Sequence, residues 1–270
     1  MAKTDLTALV TGGTSGIGAA LVAALSARGY EVLTTSRNPD AIPEAARVPG
    51  VRYLPLDLSD SESINALRDQ IAHVDIVINN AGESQSGPFE ELPAEAVERL
   101  FRTNVFGPLQ LSQMVLPHMR RRGRGRIIMV GSMLASFPLA HRSSYVAAKA
   151  ALRGFATAAR QEVSPFGIWI SVVEPGSIAT GIGQRRTKYL NSESVYADDV
   201  ATMLSHLDRN ERQGISADKV AATIISAVEA DKPRQLYAVG SRSPLAFKLK
   251  RLLPRDLMST IVARQHGLRR

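Results

Sequence analysis

Tyr145 and Lys149 stand four residues apart in SSYVAAKAAL, the alanine-rich segment from 143 to 152. A phenol and an ammonium are both protonated at neutral pH, so neither is a base by itself. At positions i and i+4 of a helix the two share a face, with Cβ atoms roughly 5–6 Å apart, and the lysine charge then favours the phenolate. A tyrosine so placed can release a proton and take it back near neutral pH. An exposed helix with a tyrosine packed along a lysine stem has the same spacing, so the rest of the chain must decide between the two.

Such a pair needs elements that carry it to a ligand. LTALVTG (6 to 12), EVLTTS (31 to 36), VRYLPLDL (51 to 58), VDIVINNAG (74 to 82), RIIMVGS (126 to 132), WISVVEPG (169 to 176) and RQLYAVG (234 to 240) read as strands. Between them Ile17, Leu21, Ala24 and Leu25 share a helical face ahead of Gly29, a C-cap, and Ile64, Leu67 and Ile71 share another. Apolar strands separated by helices imply a parallel sheet covered on both faces and joined by right-handed crossovers. The expected fold is a doubly wound, Rossmann-type α/β domain. The chain has 270 residues, 44% of them apolar, and no low-complexity linker, so a single domain is expected.

In that fold a ligand lies at the carboxyl ends of the strands. The first strand runs into TGGTSGIG, residues 11 to 18, where Gly12, Gly16 and Gly18 form a G-x-x-x-G-x-G turn that also contains Thr14, Ser15 and Ile17. A turn without side chains lets a pyrophosphate approach the backbone amides and the positive end of the following helix. At the end of the second strand an acidic residue would hold a free ribose 2′-hydroxyl, whereas a 2′-phosphate needs a cation. Ser36, Arg37 and Asn38 stand there, which favours NADP(H) over NAD(H).

With these motifs in order, the chain resembles the short-chain dehydrogenase/reductase family from about residue 5 to residue 240. The glycine turn is similar to that family's. LDLSD at 56 to 60 resembles the segment in which Asp57, next to Leu58, binds the adenine amino group, and NNAG at 79 to 82 resembles the motif whose Asn80, Ala81 and Gly82 line the cofactor. Asn104 in RTNVFG, Ser132 in MVGSM, and Tyr145 with Lys149 match the family's catalytic positions. PGSIAT, 175 to 180, matches the stretch beside the nicotinamide, with Pro175, Gly176, Ile178 and Thr180 as cofactor contacts.

The resemblance implies a hydride from the cofactor and a proton from the protein. Tyr145 is then the general acid in reduction and the general base in oxidation. Lys149 lowers its proton affinity and holds the nicotinamide ribose, Ser132 hydrogen-bonds the substrate oxygen, and Asn104 helps bind a water that links Lys149 to solvent. By themselves, Ser132 is a small residue capping a strand and Asn104 a helix cap or kink. The family usually pairs through the helices bearing Asn104 and Tyr145, so a homodimer or homotetramer is expected.

Residues from about 181 to about 215 are expected to form a helical lid over the substrate. Met133, Leu134, Phe137, Pro138, Leu139, Ile182 and Tyr189 are the expected pocket wall, suited to an apolar alcohol or ketone. The stretch 149 to 182, with KPRQLYAVG and LLPRDL, is similar to the branch containing 17β-hydroxysteroid and retinol dehydrogenases, which implies a steroid-, retinoid- or lipid-like substrate.

Composition narrows the alternatives. The absence of cysteine excludes disulfides, thiolate metal sites and a cysteine nucleophile, and fits a reducing, cytoplasmic compartment. The five histidines lack metal-ligand spacing, so no metal is expected. The start, MAKTDLTALVTGG, reads neither as a signal peptide nor as a membrane span. Residues 241 to 270 hold eight Lys/Arg and one Asp, leaving net +7 of the chain's +8 there. Leu245, Leu249, Leu252 and Leu253 share a helical face, and Leu257, Ile261 and Val262 form a second stripe. This tail either packs on its own domain or lies on anionic lipid as a peripheral membrane contact. HMRRRGRGR, 118 to 126, reads as a solvated helix end, and no recognition helix or aromatic interleaving points to specific nucleic-acid binding. An oxidoreductase and a non-catalytic dinucleotide sensor of the same fold both stay open, and the full set of Asn104, Ser132, Tyr145 and Lys149 favours the enzyme.

Overall fold

The structure, a computed structural model, describes residues 6–269. The first five residues, part of the start discussed above, and the final arginine of the tail lie outside them. In chain order the elements are β1 (Thr7–Val10), α1 (Gly16–Ser26), β2 (Glu31–Ser36), β3 (Arg52–Pro55), α2 (Ser61–Asn65), α3 (Arg68–Ile71), β4 (Ile76–Asn79) and β5 (Gln85–Ser86). Then come α4 (Ala94–Phe101), a π-helical turn (Arg102–Phe106), α5 (Gly107–Arg122), β6 (Gly125–Val130), α6 (Ser143–Val163), β7 (Ile168–Pro175) and β8 (Thr187–Lys188). The chain closes with α7 (Ala197–Arg212), α8 (Ala217–Glu229), β9 (Leu236–Val239), α9 (Ser243–Leu252) and α10 (Arg255–Gln265).

Among the described residues seven strands form one parallel sheet in the order β3-β2-β1-β4-β6-β7-β9, and each corresponds to a run read as a strand. The apolar runs are buried on both faces because side chains alternate. Leu9 of β1 enters a core with Leu33, Val77, Leu111 and Ile127, whereas its neighbours Ala8 and Val10 enter another with Leu21, Leu25, Ile224 and Ile225 of α1 and α8. The result is a doubly wound Rossmann-type sheet. Its strand order reverses between β1 and β4, which opens a crevice at their carboxyl ends.

One element differs from the sequence reading. The helix expected through Ile64, Leu67 and Ile71 is divided into α2 and α3 at Ala66 and Leu67, although all three residues are buried as expected. The segment read as a lid contains the 16-residue helix α7, which buries Val200, Met203 and Leu207. It also contains β8, which pairs with β5 in a small second sheet. The buried Arg186 fastens this segment through Asp208, at 2.7 Å, and Glu211 of α7.

The tail folds back on the domain. Val262 and Leu268 join Met133, Phe137, Leu139, Met203 and Leu207 in a third apolar cluster, with Phe247 and Met258 at its edge. Leu253 lies beyond the end of α9 rather than on its apolar face. Among the described residues no helix is long and apolar enough to cross a membrane.

Candidate active site

The glycine turn is forced by close approach. Gly12 has φ +70°, and a Cβ there would lie 2.9 Å from the Cβ of Ala81, so an L side chain is excluded twice over. Gly18 is buried, and a Cβ on it would collide with the Gly12 carbonyl oxygen. Thr11 and Asn80 lace the ends of β1 and β4 together: the Thr11 hydroxyl accepts from the amides of Asn80 (2.9 Å) and Ala81 (3.0 Å), and Asn80 Nδ2 donates to the Thr11 carbonyl at 2.9 Å. Ser15, at the N-cap of α1, makes no side-chain capping bond, and the first turn holds no acid. Open amides, a positive helix end and a side-chain-free cradle fit a dinucleotide pyrophosphate.

At the end of β2, Ser36, Arg37 and Asn38 line the same cleft, and the exposed Arg37 has no carboxylate beside it at Ser36. Asp57 accepts from the hydroxyl (2.7 Å) and amide (2.8 Å) of Ser59. The Ser59 hydroxyl, helped by its amide and the Arg37 charge, holds the Asp57 carboxyl below its ordinary value against the effect of burial.

Helix α6 carries Tyr145 and Lys149 into the cleft one above the other, both buried. Lys149 Nζ donates to the Val130 carbonyl at the end of β6 at 2.9 Å and lies 5.8 Å from the centre of the Tyr145 ring. Ser132 follows β6 in extended conformation, and its Oγ accepts from the Leu134 amide at 3.2 Å, capping a short turn at Met133–Ala135. Asn104 lies in the π-helical turn with both ends of its amide occupied: Oδ1 accepts from the Glu83 amide at 2.8 Å and Nδ2 donates to the Glu83 carbonyl at 2.9 Å.

A cleft of about 1540 Å³ joins these parts. Of the catalytic and cofactor-binding residues expected from the sequence, Asn104 and Gly18 do not line it; both are buried behind it, one bracing Glu83 and the other the glycine turn. The expected wall is partly corrected. Met133, Leu134, Phe137 and Ile182 face the cleft, but Pro138 is exposed, Leu139 is buried against Met203 and Leu207, and Tyr189 is engaged with Arg99 at 3.1 Å. In their place the tail contributes Leu245, Leu249, Met258, Ile261 and Val262.

Two arginines in the cleft were missed in the sequence. Arg142 is 3% exposed, donates to Ser86 and Ser84 at 3.1 Å each, and lays its guanidinium 4.5 Å from the Tyr145 ring centre. Burial brings it down to about 10, so it stays charged at neutral pH. His141, just before it, has φ +59°, and left-handed backbone at a non-glycine residue is a strain often found at functional sites. Arg185, from the segment after Thr180, reaches Ser15 Oγ at 3.0 Å.

The Ser132 loop is held from behind. The buried Glu174 accepts from the Ser136 hydroxyl at 2.8 Å and pairs with Arg153 at 3.2 Å, while Lys250 of α9 donates to the Ser136 carbonyl at 2.7 Å. Phe137 meets Phe247 edge to face at 5.1 Å. The tail is therefore a fastened wall of the cleft.

The glycine turn, the Tyr145–Lys149 pair and an apolar chamber thus open onto one continuous cleft. Residues 6–191 match the short chain dehydrogenase family, and the chain belongs to that family, whose members bind a nicotinamide dinucleotide. It is 32% identical to a 3-ketodihydrosphingosine reductase of Bacteroides thetaiotaomicron over 93% of this chain and 94% of that protein. Its structure resembles a short-chain dehydrogenase from Streptomyces avermitilis with a TM-score of 0.83 and 30% identity, covering 99% of this chain and 98% of the other. A metagenomic short-chain oxidoreductase in complex with NADP gives a TM-score of 0.71 at 25% identity, over 88% of this chain and 98% of that one.

Proposed function

We propose that the protein is an NADP(H)-dependent oxidoreductase that interconverts an alcohol, most simply a secondary one, with its carbonyl form on an apolar, steroid-, retinoid- or lipid-like substrate. The observation that carries this reading is the opening of one apolar chamber onto Ser132, Tyr145, Lys149 and the glycine turn together. A relative named for reducing 3-ketodihydrosphingosine, a ketone on a long alkyl chain, points the same way.

The dinucleotide supplies or accepts the hydride. The Ser132 hydroxyl and the Tyr145 phenol grip the substrate oxygen, and Tyr145 gives that oxygen its proton in reduction and removes it in oxidation. Lys149, fixed on the Val130 carbonyl, keeps a positive charge beside the phenol and reaches toward the cofactor ribose. With the Asn104 side chain committed to Glu83, its backbone in the π-helical turn is the part proposed to help hold a water that links Lys149 to solvent. Arg37 binds the 2′-phosphate, and Arg185 adds a cation at the pyrophosphate cradle.

The test is a panel of steroids, retinoids and medium- to long-chain ketones with NADPH, followed by nicotinamide absorbance. Turnover of an apolar ketone supports the reading. Tight NADPH binding without turnover of any member would favour the sensor.

A further inference from the structure

The outward face of the α9–α10 hairpin is left largely unused by the packing and meets the pocket only at its rim, at Leu245. On α9, Ala246, Phe247 and Lys250 turn toward the domain and Leu249 toward the cleft, which leaves Leu245 and Leu252, two turns apart, on the opposite side around Lys248. Leu245 is 52% exposed, Leu252 79%, and Leu257, near the start of α10, 47%. Arg242, Lys248, Arg251, Arg255, Arg264 and Arg269 are exposed around them, against the single acid Asp256. Among the described residues none of these six cations is in an ion pair. Leu245 also lines the cleft with Met258 and Ile261 while standing half exposed, so it marks the rim where the chamber meets the outer face.

We propose that this hairpin docks on an anionic bilayer, with Leu245, Leu252 and Leu257 among the acyl chains and the surrounding cations against the headgroups. The cleft mouth then faces the membrane, and the substrate is one that partitions into it. Delivery of substrate rests on the function proposed above; docking does not. A nucleic acid would meet the cations but leave the leucines in water, so the bilayer is the occupant that uses both.

Flotation of the full chain with phosphatidylcholine vesicles, with and without phosphatidylserine, tests the docking. The protein should float with the phosphatidylserine vesicles only, and added salt should weaken the association. Leu252→Ser with Leu257→Ser, and separately Lys248→Glu with Arg251→Glu, should each lower binding about tenfold or more. None of these four residues lines the cleft, so melting temperature and NADPH affinity should match wild type and establish that both variants fold. Absence of wild-type binding to phosphatidylserine vesicles, equal binding to neutral ones, or equal binding by all variants overturns the proposal. So does retention by a DNA duplex in place of the vesicles. Failure of wild type to bind NADPH would count against the oxidoreductase reading and leave the docking result standing.

Discussion

Arg142 lies face-on to Tyr145, its guanidinium 4.5 Å from the ring centre, while Lys149 approaches the same ring to 5.8 Å. Two cations thus attend one phenol, and the arginine has Ser84 and Ser86 rather than a carboxylate as its hydrogen-bond partners.

A desolvated cation over an aromatic face is worth up to about 2 kcal/mol. Arg142→Met should therefore lower kcat by about 10- to 30-fold, with Arg142→Lys intermediate. NADPH affinity, read by fluorescence titration, should change little. Unchanged kcat in the methionine variant would show the stacking to be purely structural.

Tyr145→Phe removes the only hydroxyl on that ring. General acid–base catalysis contributes about 10²–10⁴-fold, so turnover should fall by at least that while NADPH still binds. Near-normal turnover would remove Tyr145 from the mechanism.

Arg37 should set the cofactor preference. A charge-assisted fork on the 2′-phosphate is worth about 3 kcal/mol, corresponding to somewhat more than a hundredfold in kcat/KM for NADPH over NADH. Exposure of Arg37 reduces that figure. Ser36→Asp with Arg37→Leu should move the preference toward NADH, and equal use of both by wild type would make Arg37 a bystander.

Glu174 should make stability pH-dependent. Burial pushes its carboxyl above the ordinary 4.5, with Ser136 and Arg153 opposing. A raised carboxyl binds its proton more tightly in the folded state, so its contribution is complete below the unfolded value and is lost as pH rises through the folded one. In melts from about pH 4.5 to about pH 8, wild type should lose ground against Glu174→Gln as pH rises. A constant difference between the two would contradict the assignment.

Assembly should use α5 and α6, the neighbours of Asn104 and Tyr145. Phe106, at the end of the π-helical turn that leads into α5, and Phe155 on α6 are 55% and 49% exposed, large apolar groups that a partner copy would cover. Sedimentation should give a dimer or tetramer, and Phe155→Glu should shift it toward smaller species. A wild type that sediments as a monomer at micromolar concentration would refute this.

The sheet was legible because parallel strands buried on both faces leave unbroken apolar runs such as RIIMV and ISVV, which need no long-range knowledge to recognise. The glycine turn and the Tyr145–Lys149 spacing were legible for the same reason, being local. Arg142 was not: its serine partners lie 56 and 58 residues earlier in the chain, and an arginine next to SSY looks like an ordinary helix start. The stripe of Val200, Met203 and Leu207, spaced as one helical face among six charged residues, carries the helix of the expected lid. The tail's amphipathic pattern was visible, but its pocket-lining side depends on Lys250 meeting a carbonyl 114 residues away. Tyr189 and Leu139 were misplaced because a segment's position near a cleft does not determine which side chains turn into it.

The Lys250 fastening also sets an order of assembly during synthesis. Every strand of the sheet, the cradle, Tyr145 and Lys149 precede α9, so a nascent chain that has emerged as far as β9 can already form its dinucleotide groove. The outer wall arrives afterwards with α9 and α10, when Lys250 and Phe247 reach the Ser132 loop. A protease that clipped the chain after Ser241 would leave the glycine turn, Tyr145 and Lys149 in place and take Leu245, Leu249, Met258, Ile261 and Val262 out of the cleft wall.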